Sequence, residues 1–328
     1  MLSRVSNVLR ILFAVALTAY LLYRSDPTAV GGALRGVSWG WIGAAVLLVL
    51  VDRALMAVRW IWLLRPVERQ HMPPTSALMR IFFVSTFVGT FLPASVGSDA
   101  VRTWQVTQRG VPGPQALASV LMDRVLGVAS ILIAALGGLA VYPELLARRG
   151  VLLGFLAAVG ACIIALLFVF SAGWDAMIRR WLLPRLPTRI RSFADRILAA
   201  LQAYQAHHGT VLVVLAASVG VQVLRIIQGW CLGVSLGLAP PLVAYFANIP
   251  IVLLIMLLPI TINGMGTSQL AFDWLFVRDG TAAAPVFALS VLFVALGIVG
   301  NLPGALLVLS GKHGGSQNAP GPNAAKAP

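Results

Sequence analysis

The sequence predicts an all-α polytopic membrane protein, with about six transmembrane helices plus two re-entrant or broken helical hairpins. Three observations lead there. Of 328 residues, 59% are hydrophobic and only 10% are charged, with a mean hydropathy of +0.91; a water-soluble domain carries about 25% charged residues. Apolar runs of spanning length recur between basic clusters. Two further apolar runs are interrupted by Pro and Gly.

Taken in order, residues 8–23 form the first run, preceded by Arg4 and Arg10. The stretch Tyr20 to Arg24 lacks the small residues of a signal cleavage site, so this is read as an uncleaved span with a cytoplasmic N-terminus. Residues 39–63 form the second span, with Trp39 and Trp41 at one end and Trp60 and Trp62 at the other, where amphipathic rings anchor at interfaces. The run 81–97 is short and holds Gly89, Pro93 and Gly97, with Arg80 before it and Arg102 and Arg109 after it. It reads as a hairpin dipping in from the cytoplasm; irregular backbone at that depth needs protein or a watery cavity around it.

Spans three and four, 114–142 and 151–172, are joined by an external loop with Glu144, Arg148 and Arg149. Residues 175–208 are an amphipathic basic segment: six arginines accompany Ile190, Phe193, Ile197, Leu201 and Tyr204 on one helical face. Such a helix lies in the cytoplasmic interface or packs as a connector on the bundle. Span five, 210–238, ends in Gly229, Gly233 and Gly237, spaced for close helix packing. The apolar run 240–277 breaks at Pro259–Gly266 and reads as a second hairpin, entering from outside. Residues 284–309 form span six. This makes 1–310 a single membrane domain, followed by a tail, 311–328, expected to be disordered.

Charge tests the orientation. Sixteen Lys and Arg fall on the side of both termini and five on the other, with Arg53, Arg124 and Arg225 inside spans. That is the positive-inside pattern. It places the chain in the cell's inner (plasma) membrane with both termini cytoplasmic, and explains the formal +14 without nucleic acid. Cys162 and Cys231 lie in apolar runs and the four histidines lack paired acidic ligands, so no metal and no cofactor is expected. No phosphate-cradling loop, nucleophile elbow or zinc-ligand spacing occurs, so neither a nucleotide-driven pump nor an enzyme is signalled.

The two broken segments share Leu92-Pro93 followed by Gly97 and Leu258-Pro259 followed by Gly264 and Gly266, which points to an inverted repeat around a transport site. The informative polar residues are those where polarity is expensive: a charge at mid-bilayer costs at least about 2.5 kcal/mol. Asp52, Arg53, Asp123, Arg124, Arg225 and Asp273 lie in or near apolar runs. Adjacent residues point to different sides of a helix, so each is expected to find a partner on another helix, and an ion pair that only fixes packing is the plain alternative. The stretch from Leu92 to Arg102 is the densest. Gly97 and Ser98 offer backbone N–H groups, Arg102 offers a fork for phosphate, and Asp99 would receive Arg102 or a cationic substrate group. Ser98 or Asp99 also suits a helix N-cap.

These residues carry a resemblance. Leu92, Pro93, Ser95, Gly97, Asp99 and Arg102, followed by Ala116, Ser119, Val120, Asp123 and Arg124, resemble the lysylphosphatidylglycerol synthase transmembrane region, a flippase-like family. Arg59-Trp60 and Pro259 through Asn263, Gly264 and Gly266 also fit, and the likeness covers residues 5–310. The chain departs from the family at Ser268-Gln269, where Arg-Glu is common, and no soluble aminoacyl-transferring domain follows residue 310, so aminoacyl-lipid synthesis is not expected. The resemblance implies a lipid translocase handling an anionic phospholipid, aminoacyl-lipid or polyprenyl or glycolipid, with headgroup contacts at Arg59, Ser95, Gly97, Asp99, Arg102, Asp123, Arg124, Asn263, Gly264 and Gly266. Its partners would be membrane lipids. The rival is a non-transporting scaffold that recruits a glycosyltransferase or lipid-modifying enzyme through the 175–208 segment.

Overall fold

The computed structural model describes residues 16–92, 96–185, 187–257, 264–277 and 280–311. Among them the chain is helical, with no strand. The helices are α1 (residues 16–24), α2 (Pro27–Arg35), α3 (Trp39–Val67), α4 (Thr75–Thr90), α5 (Val96–Thr107), α6 (Gly113–Val141), α7 (Arg149–Phe170), α8 (Ala172–Met177), α9 (Thr188–Gln202), α10 (His208–Ser235), α11 (Leu242–Met256), α12 (Thr267–Phe272) and α13 (Ala283–Gly311). Five of them, α3, α6, α7, α10 and α13, are long and apolar enough to cross a membrane, which matches spans two to six. The first half of the first expected span and all but one residue of the tail lie outside the described residues, as do Pro93 to Ser95 and Leu258 to Asn263.

The short helices explain themselves by length. At about 1.5 Å per residue, α4 and α5 reach roughly 24 and 18 Å, less than the ~30 Å hydrocarbon core. They fold back on each other instead. At the tip a side chain added at Gly89 would stand 2.5 Å from the Ser98 Cβ. At the base Arg80 and Arg109 border one cleft. The base lies level with the C-terminal end of α13, where Arg80 donates to the Leu307 carbonyl at 3.1 Å. It therefore shares a face with α9, because α10 runs antiparallel to α3 and the Tyr204 hydroxyl ahead of it donates to the Leu63 carbonyl at 2.6 Å. Burial pushes the Tyr204 phenol up, with the Asp123 charge adding to it, so it stays a neutral donor.

The second hairpin, α11 with α12, opens to the opposite face. There Ser38 N–H meets the Ser235 carbonyl at 2.9 Å, Arg148 donates to the Trp274 carbonyl and Arg24 reaches Asp273 at 3.3 Å. Each hairpin is flanked by a span before it and a span after it: α3, α4–α5, α6 in one half and α10, α11–α12, α13 in the other. The order is the same and the direction is reversed. One close approach is made by both halves. Gly138 on α6 packs against the Phe246 carbonyl of α11, and Gly304 on α13 packs against the Phe83 carbonyl of α4. Gly138 and Gly304 stand 166 positions apart, as do Leu92-Pro93 and Leu258-Pro259 in the sequence. The inverted repeat expected from the broken segments is thus present in the topology, with α7 to α9 inserted between its halves.

The amphipathic segment is less regular than its periodicity suggests. Pro184 and Pro187 break it: α8 runs into a π-helical turn over Ile178–Leu182 and a tight turn over Leu183–Arg185 before α9 begins. On α9, Leu198, Leu201 and, just beyond, Tyr204 are buried, while Ile190 and Phe193 remain exposed. Gly229 and Gly233 on α10 let Ile249 and Tyr245 of α11 pack close, the structural role their spacing implied.

Filling the two repeated close approaches should overpack the bundle. Gly138→Leu and Gly304→Leu are each expected to cost about 1–3 kcal/mol, read as a lowered thermal unfolding midpoint of the detergent-solubilised protein. Gly154→Leu, on an α7 surface with nothing within 4 Å, should melt like the wild type.

Candidate functional site

A cavity of about 310 Å³ lies between the tips of the two hairpins. Thr86, Gly89, Thr90 and Ser98 face it from the first hairpin, and Leu253 and Met256 from the second. The spans supply its charge: Asp52 and Arg53 from α3, Arg124 from α6 and Arg225 from α10, with Gln228 beside Arg225 and Asn301 from α13. Arg53 is the middle residue of α3, and Arg124 and Arg225 stand within about one turn of the middles of α6 and α10. Three guanidinium groups therefore meet at mid-depth in the spanning helices, where an unsolvated charge is costly.

Asp52 organises one side of this cavity. It is buried, and its two oxygens take Arg225 Nε at 3.3 Å and Arg53 Nη1 at 3.4 Å. The contact to its sequence neighbour Arg53 was not expected; the long Arg53 side chain curls back, and its Nη2 donates to the Gly297 carbonyl at 3.3 Å. Arg225 was expected to need a partner on another helix and has one in Asp52. Across the cavity Arg124 Nε meets Asp99 Oδ2 at 2.7 Å, with the Arg124 side chain 42% exposed and Asp99 14%. Exposure of that size in the middle of a spanning helix marks the cavity as open rather than sealed.

Behind it sits a second, closed cluster. Asp123 takes Arg59 Nη2 at 2.7 Å and Arg102 Nη1 at 3.6 Å, and the three side chains expose only 4, 5 and 8% for Arg59, Arg102 and Asp123. Arg59 also donates to the Ser218 hydroxyl at 2.9 Å. The Arg102 guanidinium lies over Phe82 at 4.4 Å and Trp60 at 5.2 Å, where the ring faces favour a cation. Trp60 in turn donates to Ser119 at 3.2 Å. Adjacent residues on a helix point about 100° apart. That angle sends Asp123 into this cluster and Arg124 into the cavity.

The two clusters are related by the repeat. Arg225 follows Arg59 by 166 positions and Ser218 follows Asp52 by the same interval. So Arg59 on Ser218 and Arg225 on Asp52 are one contact made twice across the α3–α10 seam. The positions equivalent to Asp123 and Arg102 are Leu289 and Ser268. Only the first half carries the extra pair that seals its cluster.

The expected site residues thus divide. Asp99 and Arg124 stand together at the cavity, with Ser98 lining it. Arg59, Arg102 and Asp123 join in the closed cluster, so Arg102 meets Asp123 and not Asp99. Gly97 packs on Leu92, and a side chain there would stand 2.5 Å from the Leu92 Cβ. Gly264 and Gly266 adopt φ of 74° and 84°; the first packs on Met256, and the second heads α12, its N–H held by Gln269 Oε1 at 2.6 Å. Ser95 and Asn263 lie outside the described residues. Sequence reasoning noted Arg53 and Arg225 only as costly charges and passed over Gln228 and Asn301. The signal was a polar residue one turn after Arg225, and an amide midway along an apolar span.

A model of the family described as the lysylphosphatidylglycerol synthase TM region matches residues 7–304. No curated protein matches the chain.

Removing one member of the closed cluster leaves a buried charge unmatched, which costs about 3–5 kcal/mol. Arg102→Ala and Asp123→Asn should therefore lower the unfolding midpoint sharply. Arg124→Ala, removing a half-exposed partner, should cost about 1 kcal/mol or less. Equal midpoints for Arg102→Ala and Arg124→Ala would show that the closed cluster does not hold the bundle together.

Proposed function

The chain belongs to the lysylphosphatidylglycerol synthase transmembrane-region family, and on that premise we propose that this multi-pass membrane protein is a lipid translocase that passes an anionic headgroup through the cavity between its hairpins. One observation carries the reading: three arginines from three different spans converge at mid-depth in a cavity open enough to leave Arg124 42% exposed. A protein that only fixes its own packing has no use for such a group, whereas a headgroup crossing the bilayer has its highest cost at that depth. A volume of about 310 Å³ is at the small end for ligand sites. It takes a headgroup and leaves the acyl chains in the bilayer.

In this reading Arg53, Arg124 and Arg225 receive the phosphate, with the forked, charge-assisted contacts that guanidinium groups make. The inverted halves supply alternating exposure, each hairpin closing one side. The face that carries α9 and the base of α4–α5 also carries most of the basic residues, so it is assigned to the cytoplasm of the inner (plasma) membrane. Movement is downhill or coupled to an ion, and the protein performs no bond-making chemistry. The second reading is the scaffold, favoured by exposed Arg180, Arg185, Arg191 and Arg196 on and beside α9. There the partner would be a glycosyltransferase or lipid-modifying enzyme docking on that face.

Leaflet-resolved lipid movement in proteoliposomes separates the two. Fluorescent phosphatidylglycerol should cross faster with the wild type than in empty vesicles. Arg124→Gln, which removes a charge-assisted contact worth roughly 1.5–3 kcal/mol, should slow that movement at least about tenfold with insertion unchanged. If crossing is absent and only the combined Arg180→Gln, Arg185→Gln and Arg191→Gln variant disturbs partner recruitment, the scaffold is the function.

A further inference from the structure

We infer that the headgroup is an anion extended by a neutral, hydroxylated alcohol, bearing no ammonium group, and that Gln228 and Asn301 read its hydroxyls. The inference rests on the translocase reading and narrows its substrate.

The first half of the argument is charge. An ammonium group needs a carboxylate, and the carboxylates near the cavity are committed. Asp52 holds Arg53 and Arg225, Asp99 holds Arg124, and Asp123 behind them holds Arg59 and Arg102. The Gly297 carbonyl, which could serve a cation, already accepts from Arg53. A cationic or zwitterionic headgroup would place its amine among three guanidinium groups, with no uncommitted carboxylate among the described residues at the cavity. The desolvated like-charge contact opposes entry.

The second half is hydrogen bonding. Gln228 is buried and Asn301 is part-buried, and both line the cavity. Asn301 Nδ2 donates to Thr90 Oγ1 at 2.8 Å, and Thr90 spends its own proton on the Thr86 carbonyl at 3.1 Å. Thr90 can therefore only accept from Asn301, which fixes the amide's orientation and leaves Asn301 Oδ1 as an acceptor without a donor. Gln228 Nε2 is a buried donor without an acceptor. Buried amide atoms left unmatched are costly. A hydroxyl both donates and accepts, and it answers both amides where a methyl group answers neither.

Displacement of a fluorescent short-chain phosphatidylglycerol from the purified protein tests this with five competitors of equal acyl length or none. These are phosphatidylglycerol, phosphatidylmethanol (the same phosphodiester without hydroxyls), phosphatidylethanolamine, lysyl-phosphatidylglycerol and tail-less glycerophosphoglycerol. Phosphatidylglycerol should compete about fivefold better than phosphatidylmethanol, the yield of one or two neutral hydrogen bonds. It should also compete at least about tenfold better than either amine-bearing lipid. In Gln228→Met and Asn301→Leu, folded by their unfolding midpoints, phosphatidylglycerol should weaken to the level of phosphatidylmethanol. Wild-type protein that treats phosphatidylglycerol and phosphatidylmethanol alike, or that takes lysyl-phosphatidylglycerol as well as phosphatidylglycerol, overturns the inference and leaves the translocase standing. Equal competition by tail-less glycerophosphoglycerol, or none by any phosphate lipid, overturns the translocase reading itself.

Discussion

Holding guanidinium groups at mid-depth in an apolar bundle is the constraint around which the rest of the structure is arranged. Hydrocarbon cannot solvate them there, so each is matched by a carboxylate, a carbonyl or an aromatic face, or opens onto the cavity. Two aspartates act as hubs. Asp123 gathers Arg59 and Arg102 under Trp60 and Phe82, in a cluster closed off from the cavity. Asp52 gathers Arg53 and Arg225, but on a wall that faces open space. The same device is used twice, once to lock helices together and once to keep charge available.

The inverted topology explains why the two hubs sit so near each other. Antiparallel α3 and α10 form the seam between halves, and a contact on that seam is repeated by exchanging the halves. The halves are equal in topology but not in charge, since Leu289 and Ser268 stand where the first half has Asp123 and Arg102. The first half is therefore pinned by a closed ionic cluster that has no counterpart in the second, whose contacts across the seam are the Arg225–Asp52 pair, single hydrogen bonds and apolar packing. Of the two hairpins, α11–α12 has the weaker electrostatic restraint.

Much of this was legible in the sequence. Spans two to six follow from hydropathy alone, and the hairpins follow from Pro and Gly interrupting two apolar runs. Charge near the middle of spans marked the region of the site. What the sequence did not disclose was azimuth. Leu92 through Arg102 reads as one anion-binding stretch, yet Asp99 faces Arg124 at the cavity while Arg102, one turn on, faces Phe82 and Asp123. Likewise Asp123 and Arg124 look like one motif and serve two different clusters. Arg225 was visible as a charge but not as a cavity residue, because which face of α10 meets space depends on where the α11 tip stops. Asn301 gave no periodic signal at all, being one amide in a long apolar helix.

The pairing within the cavity also bears on rate. On the proposed reading, a phosphate that met three unmatched arginines in a dry site would be held too firmly to leave, and a path is conductive only when its binding is shallow. Here each arginine arrives already partnered, two with Asp52 and one with Asp99. An entering phosphate must share those guanidinium groups with resident carboxylates rather than fill an empty site. The gain on entry is the difference between two similar interactions, so the headgroup is tolerated at mid-depth without being trapped there. On that reading Asp52 and Asp99 set how long a headgroup stays, as much as the arginines set whether it enters.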